Sequence, residues 1–207
     1  MKVSVSILKE RENYLDVIEK LNNSKADYIH IDVLDNTFIK TSSFDIDDFK
    51  NIEFNKKLDI HLMSSNLEKQ INDFSLLNPE YISIHEEVGD TLKYLNKIKN
   101  KGIKAGIVIN PETDIEKVYP YLEIIDLILI MSVNPGKGGQ EFMKSVIGKM
   151  QELKEIQDRY NYVIEVDGGI NNDTIKYVSN YVDIAVSGSY ITDSIDYDKN
   201  IENLKRE

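Results

Sequence analysis

Eight short runs rich in β-branched residues, each closed by a polar or glycine-containing loop, constrain this chain more than any other feature. They predict strands near Val3 to Leu8, Tyr28 to Val33, Leu58 to Met63, Tyr81 to His85, Ala105 to Ile109, Leu127 to Met131, Val163 to Val166 and Ile184 to Ser187. Their starts lie roughly 20 to 35 residues apart, the length of one strand-plus-helix unit. Helical periodicity fills the gaps: Tyr14, Val17, Ile18 and Leu21 form one stripe, and Leu92, Leu95 and Ile98 another. The longest such segment runs from Phe142 to Tyr160, with Met143, Val146, Met150, Leu153 and Ile156 on one side. The strand runs read as nearly continuous apolar segments, as expected where both faces are covered. With 207 residues, no Ser/Gly linker and no low-complexity tract, the chain reads as α/β, a single (β/α)8 TIM barrel spanning residues 1–207. A doubly wound open sheet is the rival, and it lacks its GxGxxG turn after the first strand.

Composition narrows the function. A 41% hydrophobic content supports a sizeable core, and the absence of cysteine removes disulfides, zinc-thiolate clusters and thiol nucleophiles together. A net charge of −11 without any basic block speaks against nucleic acid and anionic membrane as partners. The apolar run at Met1 to Leu8 meets Lys9, Glu10, Arg11 and Glu12, too soon for a secretory signal. No stretch approaches the roughly 18 apolar residues of a membrane span. The expectation is a soluble cytoplasmic protein.

In a barrel of this kind the functional groups stand at the C-terminal ends of the strands. All three histidines, His30, His61 and His85, fall there. His30 and Asp32 are two apart and share one strand face. His61 comes from the adjacent strand and Asp167 from the opposite side of the barrel. Two imidazoles and two carboxylates converging on the mouth make a divalent-metal set with room for substrate oxygens, and iron, zinc, manganese and cobalt all suit it. His85, beside Glu86 and Glu87, reads either as a fifth lining group or as part of a surface ion pair.

A phosphate signal is separate from these. Gly136-Lys137-Gly138-Gly139 follows the sixth predicted strand, Gly168-Gly169 the seventh, and Gly188-Ser189 the eighth. Residues without bulky side chains let backbone N–H groups close on an oxyanion, and helix N-termini add a favourable dipole. The loops after strands seven and eight are the usual phosphate site of this fold. No Lys-Ser/Thr pair follows the glycines after strand six, so that loop is not a P-loop. Amide donors, with Lys137 in support, explain how a strongly acidic chain could hold an anion.

A metal beside two acids, next to a phosphate cradle, points to proton abstraction beside the carbonyl of a sugar phosphate. Asp32 and Asp167, on opposite faces of a planar ene-diolate, could remove a proton and return it with inversion. Met63 and Met131, read as ending neighbouring strands, would give a soft wall that discourages stray protonation.

These residues resemble the ribulose-phosphate 3-epimerase family over nearly the whole length. The matching segments are Ser4-Val5-Ser6-Ile7-Leu8, His30-Ile31-Asp32-Val33-Leu34-Asp35, Asp59-Ile60-His61-Leu62-Met63, Met131-Ser132-Val133-Asn134-Pro135-Gly136, Gly138-Gly139-Gln140, Glu165-Val166-Asp167-Gly168-Gly169 and Ser187-Gly188-Ser189. The resemblance implies a ribulose-phosphate-binding barrel that converts D-ribulose 5-phosphate to D-xylulose 5-phosphate in pentose phosphate metabolism. It implies one divalent ion on His30, Asp32, His61 and Asp167, with Asp32 as proton acceptor and Asp167 as donor in the forward direction. It also implies substrate contacts from Ser6, His61, Gly136 to Gly139, Gly168, Gly169, Gly188 and Ser189. A homo-oligomer assembled through barrel surfaces is compatible with it.

Three departures from the family pattern sit in loops that cover the substrate. Asn36 replaces a glycine, Lys40-Thr41 replaces Pro-Asn with Asp45 at the glycine beyond, and Lys137 replaces an aromatic residue. Asn tolerates a left-handed turn almost as well as glycine, so the first is mild. Lys137 exchanges an apolar cover for a cation. Two alternative readings follow: a 3-epimerase for a hexulose phosphate such as allulose 6-phosphate, or a catalytically impaired barrel that only binds sugar phosphate. A decarboxylase on the same scaffold would need a lysine in an Asp-x-Lys-x-x-Asp pattern, and the frame here reads His30, Asp32, Asp35.

Overall fold

Every one of the eight predicted runs is a strand in the computed structural model, which describes residues 1–206. The strands are β1 (Lys2–Ser6), β2 (Tyr28–Leu34), β3 (Lys57–Met63), β4 (Tyr81–His85), β5 (Lys104–Ile109), β6 (Leu127–Met131), β7 (Val163–Asp167) and β8 (Ile184–Ser187). All neighbours pair in parallel, and β8 closes on β1, so the sheet is a barrel without edges. The predicted boundaries hold to within two residues. The exception in kind is Ile7-Leu8, where the chain already turns into a 3-10 segment, Leu8–Glu10.

The connections depart more from expectation. Six α-helices form among the described residues: α1 (Tyr14–Asn22), α2 (Leu67–Phe74), α3 (Thr91–Lys99), α4 (Ile147–Ile156), α5 (Ser189–Thr192) and α6 (Tyr197–Arg206). The crossovers from β2 to β3, β5 to β6 and β7 to β8 hold only 3-10 turns. Local chemistry explains this. Asp45 caps the Ile46–Asp48 turn in a reciprocal box with Asp48, Pro120 opens the turn at Tyr119–Tyr121, and the Asn171 carboxamide draws in the backbone N–H groups of Asp173 and Thr174. On α3 the buried stripe is Thr91, Leu95 and Ile98, while Leu92 points to solvent at 53% exposure. The segment Phe142 to Tyr160 contains α4 flanked by two 3-10 turns rather than one long helix.

The strands are not uniformly apolar. Outward positions such as Ile29, Ile31, Val33, Ile60, Leu62, Ile82 and Ile84 pack in the core cluster they share with the helices. Inward positions build a layered interior. Its lower part is apolar, from Tyr28, Tyr81, Leu127, Leu129 and Ile184. Above it lie the buried polar groups Ser4, His30, Asp59, Ser83 and Glu165. Burying such groups costs about 1–3 kcal/mol wherever a hydrogen bond is imperfect. An apolar filling would avoid that cost, so this layer serves what stands above it rather than stability.

Candidate active site

The mouth of the barrel receives the C-terminal residue or penultimate inward residue of each contributing strand. Register brings Asp32 beside His61 and His30 beside Asp59 across the β2–β3 pair, and Met131 beside Asp167 across β6–β7. The side chains of His30, Asp32, His61 and Asp167 converge, with one ligand atom from each lying within 4.8 Å of the others. Asp32 and Asp167 do not face each other across the full barrel: β2 and β7 are separated by β1 and β8 alone.

Asp32 and His30 are each held from behind. Ser6 Oγ donates to Asp32 Oδ2 at 2.7 Å, leaving Oδ1 beside His61 Nδ1 at 3.2 Å and His30 Nε2 at 3.4 Å. His30 Nδ1 is 2.7 Å from Asp59 Oδ2, which also accepts from Ser4 Oγ at 2.9 Å. Burial opposes charge on His30, but the Asp59 and Asp32 carboxylates outweigh it and raise the ring well above the usual imidazole range. Burial likewise opposes charge on Asp32, yet His30, by its charge and its hydrogen bond, holds the carboxyl well below the ordinary range. Asp167 goes the other way: burial, then the Asp32 charge, push it up to about 7. Beneath them, burial and then the Asp59 charge raise Glu165 well above the usual carboxyl range.

This donor set fits a divalent cation. Two imidazoles and two carboxylates are a common mixed set for first-row metals, and His30 Nε2 is buried without a hydrogen-bond partner. The Asp59 contact fixes the far nitrogen of that ring, as metal-ligating histidines usually require. A cation between Asp32 and Asp167 would also relieve the repulsion that raises Asp167.

The cluster opens into a cleft of about 490 Å³, within the usual range for a small-molecule site. Ser6, Asp32, Met63, Met131, Asp167, Gly136, Lys137, Gly138, Gly139, Gly168, Gly169, Gly188 and Ser189 all line it. His30, His61 and His85 are fully buried behind that surface. Met63 and Met131 both reach the cleft, but they end β3 and β6, which are not neighbours. His85 is neither a lining group nor part of a surface ion pair, because its ring is buried against His61 with Nε2 atoms 2.9 Å apart.

The glycine loops are built for close approach. Gly169 has φ +65°, and a Cβ there would lie 2.5 Å from the Phe142 backbone nitrogen and 2.8 Å from the Gln140 carbonyl oxygen. The carbonyl oxygens of Asp167, Gly168 and Gly169 are occupied by the Ser132 and Thr174 hydroxyls. Gln140 Nε2 ties the β6–β7 loop by donating to the Asn134 and Lys137 carbonyls at 2.7 and 2.8 Å. Lys9 and Lys144 join Lys137 on the cleft wall, although Lys9 is paired with Asp193. Asn36 adopts φ 62°, the left-handed turn its place after Asp35 requires.

Asp59, Glu165, Ser4 and Ser83 were not legible as site residues from the strand ends alone. A signal exists: each stands two positions before a residue at the mouth, in Ser4-x-Ser6, Asp59-x-His61, Ser83-x-His85 and Glu165-x-Asp167.

The fold and the site define a closed parallel (β/α)8 barrel with a His/Asp group that could hold a cation and glycine loops on one rim of its cleft. Solved barrels share the fold: a thiamine phosphate pyrophosphorylase from Pyrococcus furiosus aligns with TM-score 0.68 at 14% identity, covering 99% of this chain and 94% of that one. A 3-hexulose-6-phosphate synthase from Salmonella typhimurium aligns with TM-score 0.64 at 18% identity, covering 100% and 97%. Sequence decides within that class. The Ribulose-phosphate 3 epimerase family profile matches residues 2–192. A ribulose-phosphate 3-epimerase of Helicobacter pylori strain J99 is 38% identical, covering 99% of this chain and 97% of that protein. One from Bacillus subtilis is 33% identical, covering 99% and 98%. The chain belongs to the ribulose-phosphate 3-epimerase family, a family of isomerases. Among the described residues, no helix is long and apolar enough to cross a membrane.

Proposed function

We propose that the chain interconverts D-ribulose 5-phosphate and D-xylulose 5-phosphate by two-base proton transfer at C3. The observation that carries this reading is the pair Asp32 and Asp167, joined in one four-ligand cluster at the head of a cleft whose far wall is the glycine loops. Their environments push the two carboxyls apart: Asp32 is held ionised and Asp167 is raised to about 7. Such a split assigns one group as base and the other as acid.

In the forward direction Asp32 accepts the C3 proton from one face of the substrate. Asp167 gives its proton to C3 from the other face, which inverts the centre. The turnover leaves Asp32 protonated and Asp167 ionised, and the reverse reaction runs the same two transfers backwards. Ser6 steadies Asp32 through its 2.7 Å hydrogen bond. Met63 and Met131 line the same cleft without offering a proton. The amides of the loops at Gly136 to Gly139, Gly168-Gly169 and Gly188-Ser189 bind the phosphate, with Lys137 beside them. His30, Asp32, His61 and Asp167 would hold one divalent ion, with iron, zinc, manganese and cobalt all suited to the donors. When bound, it would supply Lewis acidity that stabilises the negative charge developing on the substrate oxygens.

A coupled assay with ribulose 5-phosphate, before and after chelation and metal re-addition, tests the reading. Activity that disappears with the metal and returns with it supports the reaction and the cation site together. Failure of metal-loaded protein to turn over the pentulose phosphate, with turnover of a hexulose phosphate, would reassign the substrate. No exchange of the C3 hydrogen with solvent deuterium in either sugar would leave a binding barrel only.

A further inference from the structure

His85 ends β4 fully buried, on the side of His61 away from Asp32. Its Nε2 is 2.9 Å from His61 Nε2, and its Nδ1 is 3.1 Å from Glu87 Oε2. The rings of His61 and His85 meet edge to edge, with centroids 5.0 Å apart and planes 26° from parallel, and Phe38 covers His85 at 4.9 Å. Glu87 is fixed in turn from the β5 end: its Oε1 accepts the Asn110 backbone N–H at 2.8 Å and the Thr113 hydroxyl. Burial opposes charge on Glu87, but the hydrogen bonds from His85, Thr113 and Asn110 bring it down to about 2.

These contacts allow one order of protons. A carboxylate only accepts, so a neutral His85 ring carries its proton on Nδ1 and presents a lone pair at Nε2. That lone pair can be met only by an N–H on His61 Nε2. His61 Nδ1, the atom 3.2 Å from Asp32 Oδ1, is then left with its lone pair facing the four-ligand cluster. His30 reaches the same condition directly, through Asp59, and offers the opposite ring nitrogen. Glu86 takes no part, since its carboxylate bonds Thr91.

We infer that Glu87 and His85 are positioning residues, a two-step hydrogen-bond relay that fixes the His61 tautomer so that Nδ1 is available to the cation. The inference rests on His30, Asp32, His61 and Asp167 forming the cation site. Outer partners of ligating histidines typically change metal affinity about 10–100-fold when removed.

Glu87→Gln tests the relay with its shape preserved. The Asn110 N–H pins the amide oxygen at the Oε1 position, which turns the NH2 group toward His85 Nδ1. Two donors then oppose each other unless His85 moves its proton to Nε2, and that forces His61 to protonate Nδ1. Zinc affinity, read by competition with a chromophoric chelator, falls about 10–100-fold in Glu87→Gln and is unchanged in Glu86→Gln. Nitrogen-proton correlation spectra of the zinc-loaded, unmutated protein show His61 protonated on Nε2 and His85 on Nδ1. Either proton found on the other nitrogen overturns the relay, even if Glu87→Gln fails to fold. Unmutated protein and Glu87→Gln binding zinc equally well overturn the relay alone. Unmutated protein that takes up no zinc removes the cation site, and the relay with it.

Discussion

Ser6 Oγ donates to Asp32 Oδ2 across the β1–β2 pair at 2.7 Å, on the oxygen that does not face the imidazoles. The carboxylate therefore has one oxygen turned to the cation cluster and one held by a hydroxyl at the cleft wall. Ser6→Ala removes a hydrogen bond to a charged group, worth about 1–3 kcal/mol. The expected result is a kcat lowered about 10–100-fold with unchanged metal stoichiometry. A fall in metal content would show that Ser6 shapes the ligand set instead.

Asp167→Asn keeps size and removes both the acid and an anionic ligand. Epimerisation should fall by at least about 1000-fold, in line with the loss of an essential proton donor and a metal ligand together. The circular dichroism spectrum should match that of the unmutated protein. Activity near that of the unmutated protein would remove Asp167 from the chemistry.

Lys137 stands in the glycine loop after β6 and lines the cleft, and it is not among the four residues of the His/Asp group. Lys137→Phe should change the substrate KM several-fold, by an order of magnitude at most, as expected for one exposed charge near a phosphate, and leave metal content alone. Altered metal content would place this loop over the cluster rather than over the phosphate.

Asp35 ties the β2–β3 loop to the start of α2. Its Oδ2 accepts from Ser64 at 2.6 Å, Asn66 at 3.0 Å and Gln70 at 3.3 Å, and its Oδ1 from the Thr37 backbone N–H at 3.2 Å. Burial opposes ionisation, but these bonds lower the carboxyl from 3.8 to about 2. A carboxyl lowered on folding contributes stability that is present above its unfolded pKa and lost as pH falls through its folded value. The full shift would correspond to about 2.5 kcal/mol; partial exposure reduces this to about 1 kcal/mol. Asp35→Asn should therefore lower Tm by about 2–4 °C at pH 7, with the difference vanishing toward pH 2. A difference that persists undiminished in acid would mean that packing, not charge, holds this loop.

The strands were legible because Val and Ile at outward positions cannot be mistaken for turn residues, and polar loops bound each run. The three crossovers without α-helices were not, because Asp45, Pro120 and Asn171 act through local hydrogen bonds and ring geometry rather than through periodicity. The four members of the His/Asp cluster could be found from His30-x-Asp32 and two further strand ends. Their supports could not, since Asp59 and Glu165 sit inside runs that look apolar until the two-residue alternation is followed. His85-Glu86-Glu87 shows the sharper limit. The sequence places two acids beside one imidazole, and only the turn after β4 decides that Glu87 meets the ring while Glu86 meets Thr91.

The crossover from β2 to β3 uses residues 35–56 and forms no α-helix in that span. Part of its length lies across the mouth instead: Phe38 covers His85, and Ile39 stands where a Cβ on Gly136 would come within 2.8 Å. Asn36, Lys40 and Thr41, three of the positions that differ from the family pattern, all fall in this stretch. The ligands and acids are rooted in paired strands, whereas the cover is a tethered loop outside the sheet. The molecule is thereby divided into two mutational compartments. One holds the proton-transfer machinery and the other its cover, and a library confined to Asn36, Lys40, Thr41 and Lys137 varies the cover while leaving Phe38 in place over His85.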